Sequence, residues 1–169
     1  MKTGAKTTVL IVCGIALATA GAVLSLMSGP IDQPIAFNHR VHVTDLGADC
    51  TDCHLYARTG VRATIPNLEA CAFCHEVPLG ESDQEALLIE HVESQRPIPW
   101  RKVYWVPNHV YFSHRRHTTL AELECGVCHG AMEEREAPVT RRLVEISMDG
   151  CMNCHEEMGV SNDCVACHR

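Results

Sequence analysis

The sequence predicts a mostly irregular and α-helical chain with little β-structure. One N-terminal transmembrane helix, within residues 1–30, is followed over residues 31–169 by a compact domain whose core is supplied by covalently held groups rather than by side chains. Three observations carry this. The pattern Cys-x-x-Cys-His occurs five times, at Cys50–His54, Cys71–His75, Cys125–His129, Cys151–His155 and Cys164–His168. A run without charge extends from Thr7 to Met27. The alternation of apolar and polar residues that marks strands is nearly absent, with a trace of it around Val103–Val106.

Two thiols three residues apart, followed at once by an imidazole, form the attachment signature of c-type haem. Thioether bonds then come from Cys50 and Cys53, Cys71 and Cys74, Cys125 and Cys128, Cys151 and Cys154, and Cys164 and Cys167. His54, His75, His129, His155 and His168 ligate the irons. On a helical turn the three positions share a face. Ten of the eleven cysteines fall in these pairs, and at this His content the chance that every pair is followed by His is about one in a million. Zinc ribbons also use paired Cys-x-x-Cys, but two pairs surround one metal and no His is needed after each. A disulfide scaffold suits the cysteine count and gives no reason for the histidines. Five haem c are therefore the expected cofactors.

The stretch after Pro30 leaves each haem fewer than about thirty residues. With 5% aromatic residues, so short a chain buries little surface by itself. The haems are expected to be the core, stapled covalently to a loop-dominated polypeptide, and the haem-free chain to be largely unfolded. The formal charge of -7 omits haem propionates and speaks against nucleic acid as a partner. An acidic surface is ordinary for solubility and also suits a basic docking face on a redox partner.

Lys2 and Lys6 precede the uncharged run, which is long enough to cross a bilayer once. Ala18-Thr19-Ala20 has the spacing of a signal-peptidase site, but the apolar stretch continues through Val23, Leu24, Leu26 and Met27, which favours a retained anchor. The lysines put the N-terminus in the cytoplasm. The haem domain then lies on the periplasmic side of a bacterial cytoplasmic membrane, where c-type haem is attached. Cys13 has no lipobox around it and reads as a buried thiol.

The longest stretch without a pentad runs from Glu76 to Glu124. Ser82-Asp83-Gln84-Glu85 has the form of a capping box, opening a helix through Ala86, Leu87, Leu88, Ile89 and Val92 that ends near Pro97. Pro97, Pro99 and Pro107 force an extended path beyond it. Each iron needs a second axial ligand, and six histidines lie outside the pentads: His39, His42, His91, His109, His114 and His117. Four belong to two copies of one motif, Phe37-Asn38-His39-Arg40-Val41-His42 and Phe112-Ser113-His114-Arg115-Arg116-His117. Each copy sets two imidazoles a helical turn apart, able to serve two different haems. The plain alternative is a pair of exposed histidines on a basic helix face. For the fifth distal ligand His109 is the first choice, with His91 and Met148 as alternatives. A thioether from Met148 would raise the potential of its haem.

These motifs resemble those of class III-like multihaem cytochromes c, and more closely the membrane-anchored pentahaem subunit of alternative complex III and related quinol-oxidising assemblies. The resemblance rests on Phe37–His42, Arg96-Pro97-Ile98-Pro99-Trp100, the run Val110–His114 leading to Cys125–Gly130, and Met148 ahead of Cys151. It covers most of the chain after Pro34. Where that family has a ligating His this chain has Tyr104, which moves the role to His109, and the linker between the last two pentads is short. The resemblance implies a haem-wire subunit of a membrane-bound respiratory or photosynthetic complex, with other subunits or a soluble periplasmic carrier as partners. With both axial positions filled, no iron is open to substrate, so an electron-transfer subunit rather than an enzyme is expected. Two other readings are a free-standing anchored quinol dehydrogenase feeding a periplasmic reductase, and a small multihaem reductase, which would need an iron with an open position.

Overall fold

The computed structural model describes residues 12–19, 21 and 29–168. The chain divides into two compact units, Met1–Ile31 and Asp32–Arg169. Most of the expected transmembrane helix over Thr7–Met27 lies outside the described residues. Residues 12–19 and 21 of it are helical, and among the described residues no helix is long and apolar enough to cross a membrane. Cys13, expected to be buried, is exposed, as are its described helical neighbours Val12, Ile15 and Leu17, so the described residues of this helix do not cover one another.

The second unit contains short helices joined by long irregular segments: α1 (Cys50–Cys53), α2 (Leu68–Ala72), α3 (Asp83–Ser94), α4 (Gly126–His129), α5 (Met148–Glu157) and α6 (Cys164–Cys167). Polar side chains start four of them by accepting free backbone N–H groups. Asp49 accepts from Thr51 at 2.8 Å, Asn67 from Ala70 at 3.2 Å, Ser82 from Gln84 at 3.2 Å, and Ser147 from Gly150 at 3.1 Å. Three of these caps begin helices that carry pentad cysteines. The reciprocal capping box sits at α1, between Asp49 and Asp52. The one expected at Ser82 closes on one side, since Glu85 turns its carboxylate to Leu79, Gly80 and His75 instead.

Helix α3 ends at Gln95, which adopts a left-handed backbone with φ 53°, and the proline-rich chain beyond it is irregular, with Trp100 N–H turning back to Ile98 O at 2.8 Å. Val103–Val106 forms no strand. Among the described residues β-pairing is limited to an isolated antiparallel bridge between Val110 and His168. The two His-x-x-His motifs, expected as α-helical turns, run into wider π-helical turns at Val41–Asp45 and Arg116–Leu120. Their ends match: Leu46 N–H donates to Val41 O and Ala121 N–H to Arg116 O, both at 3.0 Å.

Each motif is tied to a distant stretch of chain. Arg40 N–H donates to Arg135 O at 3.1 Å and Thr44 Oγ1 to Glu133 O at 2.7 Å. The second copy lies on the segment after the first pentad, through His114 N–H to Val61 O and Arg115 N–H to Gly60 O, both 3.0 Å, and Thr119 Oγ1 to Arg58 O at 2.6 Å. The protein's own core is small. Ile35, Leu68 and Ile98 form a buried cluster against Cys71, Leu88, Val92 and Trp100, and Ala57 and Ile89 are buried elsewhere. Polypeptide packing alone thus anchors one side of the unit, around α2 and α3.

Gly130 closes α4 with φ 72° and ψ -171°, a region that essentially only glycine occupies. A Cβ there would meet Leu143 Cβ at 3.1 Å. Gly130→Ala is expected to lower stability by about 1–3 kcal/mol from backbone strain, seen as a lower melting temperature of the haem-loaded protein. An unchanged melt would contradict the strain assigned to this turn.

Candidate functional site

The pentads share one local geometry. The histidine N–H donates to the carbonyl of the first cysteine, His54 to Cys50 at 2.9 Å, His75 to Cys71 and His129 to Cys125 at 3.0 Å, and His168 to Cys164 at 2.8 Å, and Cys151 and His155 both lie within α5. One helical turn thus sets the first cysteine and the histidine on the same side.

The distal candidates stand opposite these histidines. His114 faces His129 with ring centres 6.4 Å apart and planes 8° from parallel. His117 faces His155 at 6.2 Å and 26°, and His109 faces His168 at 5.6 Å and 20°. His42 lies 6.3 Å from His75 at a steeper 50°. His39 and His54 are electrostatic neighbours. Four pentad histidines therefore each face a ring of their own, whereas His54 is an electrostatic neighbour of His39, His114 and His129 alike.

The separations of His42–His75, His114–His129 and His117–His155 fit a metal ion held between two imidazoles, and His109–His168 is closer. Two metal–nitrogen bonds of about 2.0–2.1 Å, with about 1.1 Å from nitrogen to ring centre on each side, set ring centres about 6.3 Å apart. Ring orientation fits as well. Nδ1 of His42 contacts Asn38 O at 2.9 Å, that of His54 contacts Thr64 O at 3.2 Å, that of His117 contacts Ser113 O at 2.8 Å, and that of His155 contacts Ser161 O at 3.3 Å. A carbonyl only accepts, so Nδ1 carries the proton and Nε2 is left as the electron-pair donor that iron requires. His75 makes the same kind of contact with Glu85 Oε1, at 2.8 Å. His39 Nδ1 is buried without a hydrogen-bond partner.

Burial, followed by the neighbouring His54, His42 and Arg135, pushes the His39 pKa down to about 4. His129 is lowered by burial and then by His114 and His54. His114 is lowered by burial and, more weakly, by His117 and His54, against a raising contact with Val61. Burial thus favours the neutral imidazole at all three, the form in which it binds a metal.

The thiols record which pentads are neighbours. Burial raises the Cys50 pKa first and the adjacent Cys125 adds to it. Cys53 is raised by burial, then by Asp52 and Cys74, and Cys71 by burial and Cys53. Cys128 is raised by burial, then by Cys154 and Cys151, and Cys151 by burial, then by Cys167. The pentads therefore follow one another in space as second, first, third, fourth and fifth, with Cys71–His75 at one end and Cys164–His168 at the other.

His91, an alternative for the fifth distal position, turns Nδ1 to Arg96 O at 2.9 Å near the end of α3. Met148 opens α5 and is exposed. Neither stands beside a pentad histidine as His109 does. Tyr104 sits edge-on to His129 with centres 4.6 Å apart and accepts a hydrogen bond from Leu143 N–H at 2.8 Å, so it packs against a ligand candidate rather than supplying one. Sequence reasoning assigned no role to the phenylalanines. Phe37 lies edge-on to His39 and stacks on His42 at 4.5 Å; Phe112 repeats this with His114 and His117. The signal was in plain view, an aromatic two residues before the first histidine in both copies.

Comparison with known proteins gives two matches. Residues 110–169 match the family described as cytochrome c7 and related cytochrome c. The multiheme cytochrome c subunit of menaquinone reductase from Nitratidesulfovibrio vulgaris (strain Hildenborough) is 33% identical over 162 residues, covering 82% of this chain and 77% of that protein.

Proposed function

Because this chain belongs to the multihaem cytochromes c, we propose that it carries five haem c, one on each Cys-x-x-Cys-His pentad, each held between two histidines. The axial pairs are His39 with His54, His42 with His75, His114 with His129, His117 with His155 and His109 with His168. Haem iron supplies reversible one-electron exchange, and its protein tunes the potential through axial ligands, hydrogen bonds and burial. The residues of this chain do the holding and tuning. The cysteines fix the groups covalently, the backbone carbonyls of Asn38, Thr64, Ser113 and Ser161 hold imidazoles in one tautomer and orientation, and Phe37 and Phe112 buttress the distal rings.

The observation that carries this reading is that four pentad histidines each face a histidine of their own, which leaves His39 for His54. Two histidines per iron leave no position for substrate, so the chain is an electron-transfer subunit rather than an enzyme. We place it in a membrane-bound, quinone-linked redox complex, a reading supported by its relative, the multiheme cytochrome c subunit of menaquinone reductase, and by motifs that resemble those of the alternative complex III subunit. Residues 1–30 would anchor it with the N-terminus in the cytoplasm, and residues 31–169 would carry the haems on the periplasmic side.

Gentle solubilisation of membranes, capture on a C-terminal tag and identification of co-purifying chains tests the assignment. Polytopic and iron–sulfur subunits in fixed ratio to the chain are the expected result. Recovery as a lone anchored cytochrome would overturn membership of a complex and favour a free-standing quinol dehydrogenase.

A further inference from the structure

Glu85 is engaged at both carboxylate oxygens. Oε1 accepts from His75 Nδ1 and from Leu79 N–H, each at 2.8 Å, and Oε2 accepts from Gly80 N–H at 2.8 Å. The side chains of His75 and Glu85 are 18% and 11% exposed, against 62% and 64% for the surface pair Arg96–Glu90. The turn before α3 wraps the carboxylate closely, since a Cβ on Gly80 would meet Oε2 at 3.2 Å. Glu85 also gives up the reciprocal cap that its place in Ser82-Asp83-Gln84-Glu85 offers.

His75 is, among the described residues, the one haem-site histidine paired with a carboxylate. The rings of His42, His54, His117 and His155 face neutral backbone carbonyls. We propose that Glu85 draws on the Nδ1 proton of His75 and gives the haem at Cys71–Cys74, at one end of the array, the strongest histidine donor and the lowest reduction potential of the five. A carboxylate behind a ligating histidine raises ligand basicity, and a stronger donor with a nearby negative charge favours ferric over ferrous iron. Glu85 is a positioning residue, acting through His75.

The inference rests on the axial ligation proposed above, and the experiment separates the two. Full-length, haem-loaded wild type, Glu85→Gln, Glu85→Asp and the surface control Glu90→Gln are compared by spectroelectrochemical titration and near-infrared magnetic circular dichroism. In Glu85→Gln the lowest component is expected to move positive by at least a tenfold change in its reduction equilibrium, about 59 mV for a one-electron couple, with Glu85→Asp in between and Glu90→Gln unchanged. In wild type one ligand-to-iron charge-transfer band should lie at shorter wavelength than the rest and rejoin them in Glu85→Gln. Unchanged potentials in Glu85→Gln would overturn the proposal. Should neither Glu85 variant accumulate, coincident bands for all five haems in wild type would overturn it as well. A wild-type haem lacking the bis-histidine band would sink the ligation of His75 itself, a different failure.

Discussion

Serine at both Cys125 and Cys128 is expected to abolish accumulation of the folded protein, whereas serine at both Cys164 and Cys167 costs one haem and leaves the remainder assembled. The difference follows from spatial order. Cys125 neighbours Cys50 of the first pentad, and Cys128 neighbours Cys151 and Cys154 of the fourth, so the third pentad joins the two halves of the array. His129 is half-buried beside His114 and close to His54, and Tyr104 packs on its ring. The fifth pentad is terminal, held to the rest through Tyr111 N–H to Cys167 O at 2.7 Å and the Val110–His168 bridge. A chain with so few buried side chains depends on its covalent staples for stability, and a staple that closes long loops constrains the unfolded chain most. Haem-stained yield and the haem-to-protein ratio of the purified double variants decide it. Equal loss in the two would contradict a central role for Cys125–His129.

His117→Ala should convert one haem from low-spin to high-spin and make it bind carbon monoxide, with one carbon monoxide bound per chain and none in wild type. His117 faces His155 at 6.2 Å. The remaining ring nitrogen is fixed on Ser113 O at 2.8 Å, and Phe112 stacks on its other side at 4.7 Å. Among the described residues no methionine or second histidine stands in place to replace it; Met158 lies against Cys154 Sγ at 3.9 Å, on the covalent rather than the distal side. Alanine leaves a space a small diatomic can enter. A carbon monoxide difference spectrum reads the result directly. Binding by wild type, or no binding by the variant, would contradict the pairing of His117 with His155.

Much of the candidate site was legible because its letters are local and obligatory. A thioether needs a cysteine, iron needs an imidazole, and Cys-x-x-Cys-His confines both to one turn. The duplicated Phe-x-His-x-x-His motif was equally plain, as was helix α3 from its serine cap and apolar run. The partner of each distal histidine was out of reach, because it is set by long-range backbone bonds such as Arg40 N–H to Arg135 O and Arg115 N–H to Gly60 O. The π-helical turns were missed for a related reason: a five-residue turn leaves no periodicity that separates it from an α-turn, and the rings of His42 and His117 bonding back to Asn38 and Ser113 help to widen it. Glu85 shows the limit of motif reading. Its position is that of a capping box, but a half-buried histidine and two loop N–H groups compete for the same carboxylate and prevail. Tyr104 was seen only as a missing ligand, whereas its ring packs on His129 and its hydroxyl accepts from Leu143.

The most direct measurement is near-infrared magnetic circular dichroism of the oxidised, fully matured chain, quantified per polypeptide, because it counts haems and distinguishes their axial ligands together. Five low-spin ferric haems per chain, all with the bis-histidine signature, is the expected result. A high-spin haem, a histidine–methionine band, or fewer than five haems per chain would contradict an array held by five histidine pairs.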